Sequence, residues 1–158
     1  MPDSGPAERQ HDKYERLIGV AGKHPPLPTA VVHPCDAVSL ESAVEAAWLG
    51  LLKPILVGPR ARIERVADDA TLDISPFELV DSRHSHESAE KAVELVRAGR
   101  AEALMKGSLH TDELMGAVVS RTMGIRTARR ARVRRPSLPT RGCAWRRLIR
   151  RVRYRARP

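Results

Sequence analysis

The chain has 158 residues, with 28 Lys+Arg against 19 Asp+Glu and a formal net charge of +9. The charge is concentrated: residues 128–158 hold 13 Arg, no Lys and no acidic residue, which leaves 15 basic and 19 acidic residues in 1–127. This split excludes a uniformly basic nucleic-acid-binding domain and divides the chain into two segments of different origin or role.

Residues 1–11 are polar and small, and are expected to be disordered. Tyr14, Leu17, Ile18 and Ala21 follow helical spacing, so 12–22 reads as a short helix stopped by Gly22 and Pro25-Pro26. Thr29 to His33 is a β-branched run after Pro28 and reads as a buried strand. Ser39 is expected to cap the next helix, with Glu41 in its first turn and an apolar stripe of Ala43, Val44, Ala47, Trp48 and Leu51. Pro54 to Gly58 reads as a second strand, 60–69 as a short helix, and Phe77 to Asp81 as a third strand. Ser85 or Ser88 is expected to start a helix with Ala89, Ala92, Val93 and Val96 on one face. Ala101 to Lys106 contains a fourth strand, and Thr111 is expected to cap a last helix with Leu114, Ala117 and Val118 inward.

Strand and helix alternate four times, and the strands are continuous apolar runs. That pattern predicts the α/β class, a parallel sheet with helices on both faces. Only 3% of residues are aromatic, so its core must be aliphatic. Cys35 and Cys143 form no disulfide framework or metal spacing, which fits a reducing, cytoplasmic setting. No apolar run approaches the roughly 20 residues of a membrane helix. The N-terminus lacks a signal-peptide core.

Ligands of parallel sheets bind beyond the carboxyl ends of the strands. Those ends are His33-Pro34, Gly58-Pro59, Asp81-Ser82 and Lys106-Gly107-Ser108. Lys106 supplies a point charge, Gly107 lets backbone approach a ligand, and Ser108 and Thr111 supply hydroxyls before a helix N-terminus. Phosphate suits such a turn; the plainer reading is an ordinary strand–helix turn with a solvated Lys. His33 can orient a substrate carbonyl or phosphate, and the commoner role is a loop His bonded to backbone. Cys35 has no obvious base beyond His33 and reads as a small buried hydrophobe rather than a nucleophile. His84-Ser85-His86 has the spacing of two metal ligands on a strand but no convincing third ligand. It reads better as a loop and helix cap, and no metal site is expected. Asp81 is expected to face its loop rather than act as a base.

From Thr29 to Thr127 the chain resembles the phosphate acetyl/butyryl transferase family, above all the acyltransferase part of bifunctional enoyl-CoA hydratase/phosphate acetyltransferases. The resemblance is carried by Val32 to Asp36, Pro54 to Pro59, His84 to His86, and the long run Ala103 to Met115. It implies a first domain of isocitrate/isopropylmalate dehydrogenase-like type, here truncated, spanning 12–127. It implies acyl transfer between coenzyme A and inorganic phosphate, with the coenzyme A thioester as substrate, no cofactor or metal, and a site in the cleft between two domains. Intact members often pair as homodimers. The Ser/Arg pair and Asp held responsible for the family's chemistry belong to its later domain and have no matching positions here. No catalytic residue is therefore assigned, a hydratase part is missing, and the chain is expected to be inactive alone. Lys106, Gly107, Ser108 and Thr111 are the candidate substrate or phosphate positions, a reading the resemblance strengthens, and His33 at the neighbouring strand end is the further candidate.

The departure from the family falls between Met123 and Arg130, where the arginines begin. A shifted frame in GC-rich DNA yields Arg, Ala, Pro and Gly, and 128–158 reads as such an out-of-frame or disordered tail. The competing reading is a basic-tail binder without catalysis. Its 13 Arg would take nucleic-acid phosphates, or Trp145, Leu148, Ile149 and Val152 would place 144–155 on an anionic membrane as an amphipathic helix.

Overall fold

The computed structural model describes residues 15–125. The expected disordered lead of 1–11 and the arginine tail from 128, with Cys143 and the 144–155 stripe, lie outside the described residues. Residues 15–21 are helical (α1), and Gly22 N–H closes the last turn on the Ile18 carbonyl at 2.8 Å before Pro25-Pro26 ends it.

Then follow strand β1 (Leu27–Val32), helix α2 (Ala37–Trp48), β2 (Leu52–Gly58), α3 (Arg60–Asp69), β3 (Glu78–Asp81), α4 (Ser85–Arg97), β4 (Ala103–Lys106) and α5 (Thr111–Val119). All pairings are parallel, and the spatial order is β3-β2-β1-β4. The α/β class and the helices on both faces are as the sequence predicts.

The strands read as unbroken apolar runs because each face has its own helices. Side chains alternate between faces along a strand. Ala30, Val32, Ile55, Val57 and Leu104 meet α4 and α5, packing with Ala89, Ala92, Val93, Val96, Leu114 and Val118. Val31, Leu56 and Met105 point the other way, onto Leu40 and Ala43 of α2 and Ile63 and Ala67 of α3. With almost no aromatics, burial rests on many small contacts.

Two helix starts, those of α2 and α5, differ from the sequence reading, and that of α4 agrees with it. α2 is capped by Asp36, whose carboxylate accepts the Ser39 N–H at 2.8 Å, and Ser39 itself lies buried in the first turn. Asp36 competes better because its charged oxygen reaches the orphan N–H from outside the helix. With the start moved forward, Glu41 falls beyond the first turn, Leu40 joins the inner stripe, and Trp48 stands 70% exposed. α4 starts at Ser85 behind His84, whose Nδ1 accepts the Glu87 N–H at 3.3 Å. α5 is preceded by His110 rather than Thr111. Glu113 reaches back to the His110 N–H at 2.9 Å, so Thr111 is the first helical residue. Among the described residues no helix is long and apolar enough to cross a membrane.

Candidate functional site

The chain runs β1, β2, β3 in one direction across the sheet and then returns to place β4 on the other side of β1. The segments leaving β1 and β4 therefore start from neighbouring strand ends, the position where parallel sheets commonly take ligands. His33 to Asp36 leaves one strand, and Gly107 to His110 leaves the other.

These two segments are joined by backbone. Gly107 N–H donates to the Val32 carbonyl at 2.8 Å, and Ser108 N–H to the His33 carbonyl at 2.9 Å. A Cβ on Gly107 would stand 2.5 Å from the Val32 oxygen and 2.6 Å from the His33 oxygen. Gly107 thus serves close approach of one chain segment to another, rather than of backbone to a ligand alone. The Ser108 hydroxyl donates to the His33 carbonyl at 2.8 Å and accepts the Cys35 N–H at 3.2 Å. Its proton is committed to the tie between the loops, although the sequence reading offered it to a ligand. Lys106 bends its ammonium to the Gly107 carbonyl at 3.1 Å, keeping two further N–H groups.

His33 is 6% exposed and sits at φ +55°, in the left-handed region that non-glycine residues rarely adopt. Its side chain does not bond backbone as expected of a loop His: Nδ1 lies 3.0 Å from Ser88 Oγ, which in turn lies 2.7 Å from Ser82 Oγ. Burial holds the imidazole below its usual pKa, the Arg62 charge pushes it the same way, and Glu113 opposes both. Burial also raises the Cys35 thiol, with Arg62 opposing it and Asp36 adding to it. Cys35 is thus a protonated, half-buried thiol packed beside the Leu40–Leu56 cluster, as expected, and a poor nucleophile.

The His33 shift carries a pH prediction. The unfolded chain binds the proton at an ordinary value of about 6.5, and the folded chain resists it. The stabilisation from a neutral His33 is complete above about pH 6.5 and is lost as pH falls through that value toward the folded one. The urea midpoint of the wild type should fall between about pH 7.5 and 5.5 by more than that of His33→Gln; parallel slopes for the two proteins would contradict it.

Around this centre the other strand ends do structural work. Asp81 accepts the Arg60 N–H at 2.8 Å and so caps α3, as a loop-facing carboxylate should. Glu113 takes the Ser85 hydroxyl at 2.8 Å and lies 3.3 Å from His86 Nε2, joining the starts of α4 and α5; the Ser85 bond first, then the His110 N–H, holds its carboxyl below the usual range. The structure thus brings His33, Gly107 and Ser108 into direct contact, sets Lys106 beside them, and leaves Thr111 at the first turn of α5. Sequence reading named Ser82 only as a strand end and Ser88 only as a possible helix start, and it missed Arg62. Ser88 shares the inward face of Ala89 and Ala92, which is the signal that could have found it.

A parallel α/β layer with two loops bound together at its switch point is the frame of ligand-handling α/β enzymes. Over most of its length this chain is homologous to the phosphate acetyl/butyryltransferase family. It is 54% identical to the phosphate acetyltransferase of Rhizobium meliloti over 121 residues, 77% of this chain and 38% of that protein. It is 51% identical to that of Rickettsia felis over 105 residues, 66% of this chain and 30% of the relative. To the phosphate butyryltransferase of Clostridium beijerinckii it is 30% identical over 116 residues, 73% of this chain and 38% of the relative. The chain therefore spans only about a third of the length of the curated relatives it matches. No protein-family model matches it. The EutD phosphotransacetylase from Staphylococcus aureus shares the fold, with a TM-score of 0.50, 19% identity, and coverage of 62% of this chain and 39% of that one.

Proposed function

We propose that this chain carries part of the substrate-holding machinery for acyl transfer between a coenzyme A thioester and inorganic phosphate. In that reaction the coenzyme A thiolate attacks the carbonyl of an acyl phosphate and expels phosphate, or phosphate attacks the thioester and expels the thiolate. The observation that carries the reading is the 54% identity to a phosphate acetyltransferase over 121 residues. Lys106 and the first turn of α5 at Thr111 offer charge and donors to phosphate oxygens, and His33 offers its ring at the neighbouring strand end. Gly107 and Ser108 hold the two loops in register, so that these groups are placed before substrate arrives. Neither a metal nor a further cofactor enters the scheme.

The transfer needs groups that a third of the relatives' length does not supply. The 158-residue chain, assayed for acetyl phosphate formation from acetyl-CoA and phosphate in a coupled assay, should show no turnover above a heat-killed control. The informative protein is a chimera in which this chain's matching residues replace those of the Rhizobium meliloti enzyme. The chimera should turn over, and Lys106→Ala within it should lower kcat/KM by roughly 10–100-fold, the loss of one charge-assisted bond of about 1.5–3 kcal/mol. A folded chimera without activity, or one indifferent to Lys106, would count against the proposal.

A further inference from the structure

Ser88 Oγ has three polar neighbours: the His84 carbonyl at 2.9 Å, Ser82 Oγ at 2.7 Å and His33 Nδ1 at 3.0 Å. A serine hydroxyl has one proton to give and two lone pairs with which to accept. The His84 carbonyl can only accept, so it takes the Ser88 proton. Ser82 and His33 must then both donate to Ser88. Any other distribution sets lone pair against lone pair inside a cluster where Ser88 is fully buried and Ser82 and His33 nearly so. His33 therefore carries its proton on Nδ1, and its lone pair is on Nε2.

Nε2 has no protein partner among the described residues, and no buried side-chain polar atom there lacks one. Nε2 consequently reaches the protein surface at the end of β1. The backbone fixes where it stands. His33 N–H donates to the Val57 carbonyl at 2.7 Å, and its own carbonyl accepts from Cys35 N–H, Ser108 N–H and the Ser108 hydroxyl. These bonds from β2, from the β1 loop and from the β4 loop hold the residue in its left-handed conformation, a departure that tends to collect at functional positions.

We propose that Ser88 is a positioning residue that locks His33 as the Nδ1–H tautomer, so that Nε2 presents a lone pair rather than a proton to a ligand at the β1–β4 strand ends. The ligand atom it suits is one that brings its own proton, a protonated phosphate oxygen or a thiol. The Arg62 charge acting on the same ring favours a ligand with negative charge nearby. Only the choice between these two sources rests on the acyl-transfer reading; the tautomer does not.

The test uses the full chain with 15N-labelled histidine. Long-range proton–nitrogen correlations show which ring nitrogen carries the proton, and the His33 signals are those lost in His33→Gln. The wild type and Ser82→Ala should both show the Nδ1–H form, because Ser88 still gives its proton to the His84 carbonyl. Ser88→Ala should shift His33 toward Nε2–H. Inorganic phosphate, coenzyme A and desulfo-coenzyme A are then added separately. Movement of the wild-type Nε2 signal by phosphate identifies an oxygen donor, and movement by coenzyme A but by neither phosphate nor desulfo-coenzyme A identifies the thiol. An Nε2–H ring in the wild type, a shift in Ser82→Ala equal to that in Ser88→Ala, or an Nε2 signal indifferent to all three additions would overturn the proposal. Should Ser88→Ala fail to fold, the wild-type and Ser82→Ala spectra still decide it. Failure of the acyl-transfer reading would show instead as an inactive chimera with the Nδ1–H form intact.

Discussion

Gly107→Ala should destabilise the chain by about 3 kcal/mol, at the upper end of what overpacking costs. The new methyl would stand 2.5 Å from the Val32 oxygen and 2.6 Å from that of His33, both backbone atoms held in the sheet. Neither can rotate away as a side chain would. Relief requires the β1 and β4 ends to part, breaking the Gly107–Val32 and Ser108–His33 bonds. Gly58→Ala is the comparison, because its Cβ would meet the tip of Ile63 at 2.9 Å and that side chain can re-rotamer. It should cost about 1 kcal/mol. Gly116→Ala, in a helix with open space around it, should stabilise by about 0.5–1 kcal/mol. Urea midpoints of the three variants give the ranking, and equal midpoints for Gly107→Ala and Gly58→Ala would refute it. In the chimera, Gly107→Ala should also depress turnover, since it separates the loops that hold His33 and Lys106.

Leu56→Ala should cost about 2–5 kcal/mol, the range for removing a buried leucine side chain. Leu56 is wholly buried on β2, paired on both sides by β1 and β3, and packs with Leu40, Ala43, Ile63 and Ala67. Its neighbours are themselves held in a close-packed cluster, so they fill the vacated space only in part. Against a typical total of about 5–15 kcal/mol for a native domain, a loss of this size leaves a substantial unfolded fraction. Leu79→Ala, on edge strand β3 and half-buried, should cost less than half as much. Denaturant titration of the two variants measures the difference; a milder effect at Leu56 than at Leu79 would contradict this account of the core.

The exposed Trp48 shows where a period-based reading stops. Its spacing from Val44 and Ala47 fits a helical stripe, but the stripe turns out of contact with the sheet at the last turn of α2. Periodicity assigns a face, and the length of the strand beneath decides how much of that face is covered. The caps Asp36 and His110 were missed for a related reason: several capping residues stood close together, and only the path of the preceding loop selects among them.

Much of the architecture was written locally. Unbroken runs such as Pro54 to Gly58 can be buried only between two helical layers, so they dictated a parallel sheet, and the run Ala103 to Met115 sufficed to mark the family. The strand order was not local. Nothing in the chain's linear pattern says that β4 returns beside β1, and only that return brings Gly107 and Ser108 against His33 and makes the glycine a packing requirement. Nor could spacing foresee that Ser88, 55 residues after His33, receives its ring proton. Secondary structure follows from neighbours in sequence, whereas a tautomer and a pair of joined loops depend on groups that meet only when the layers close.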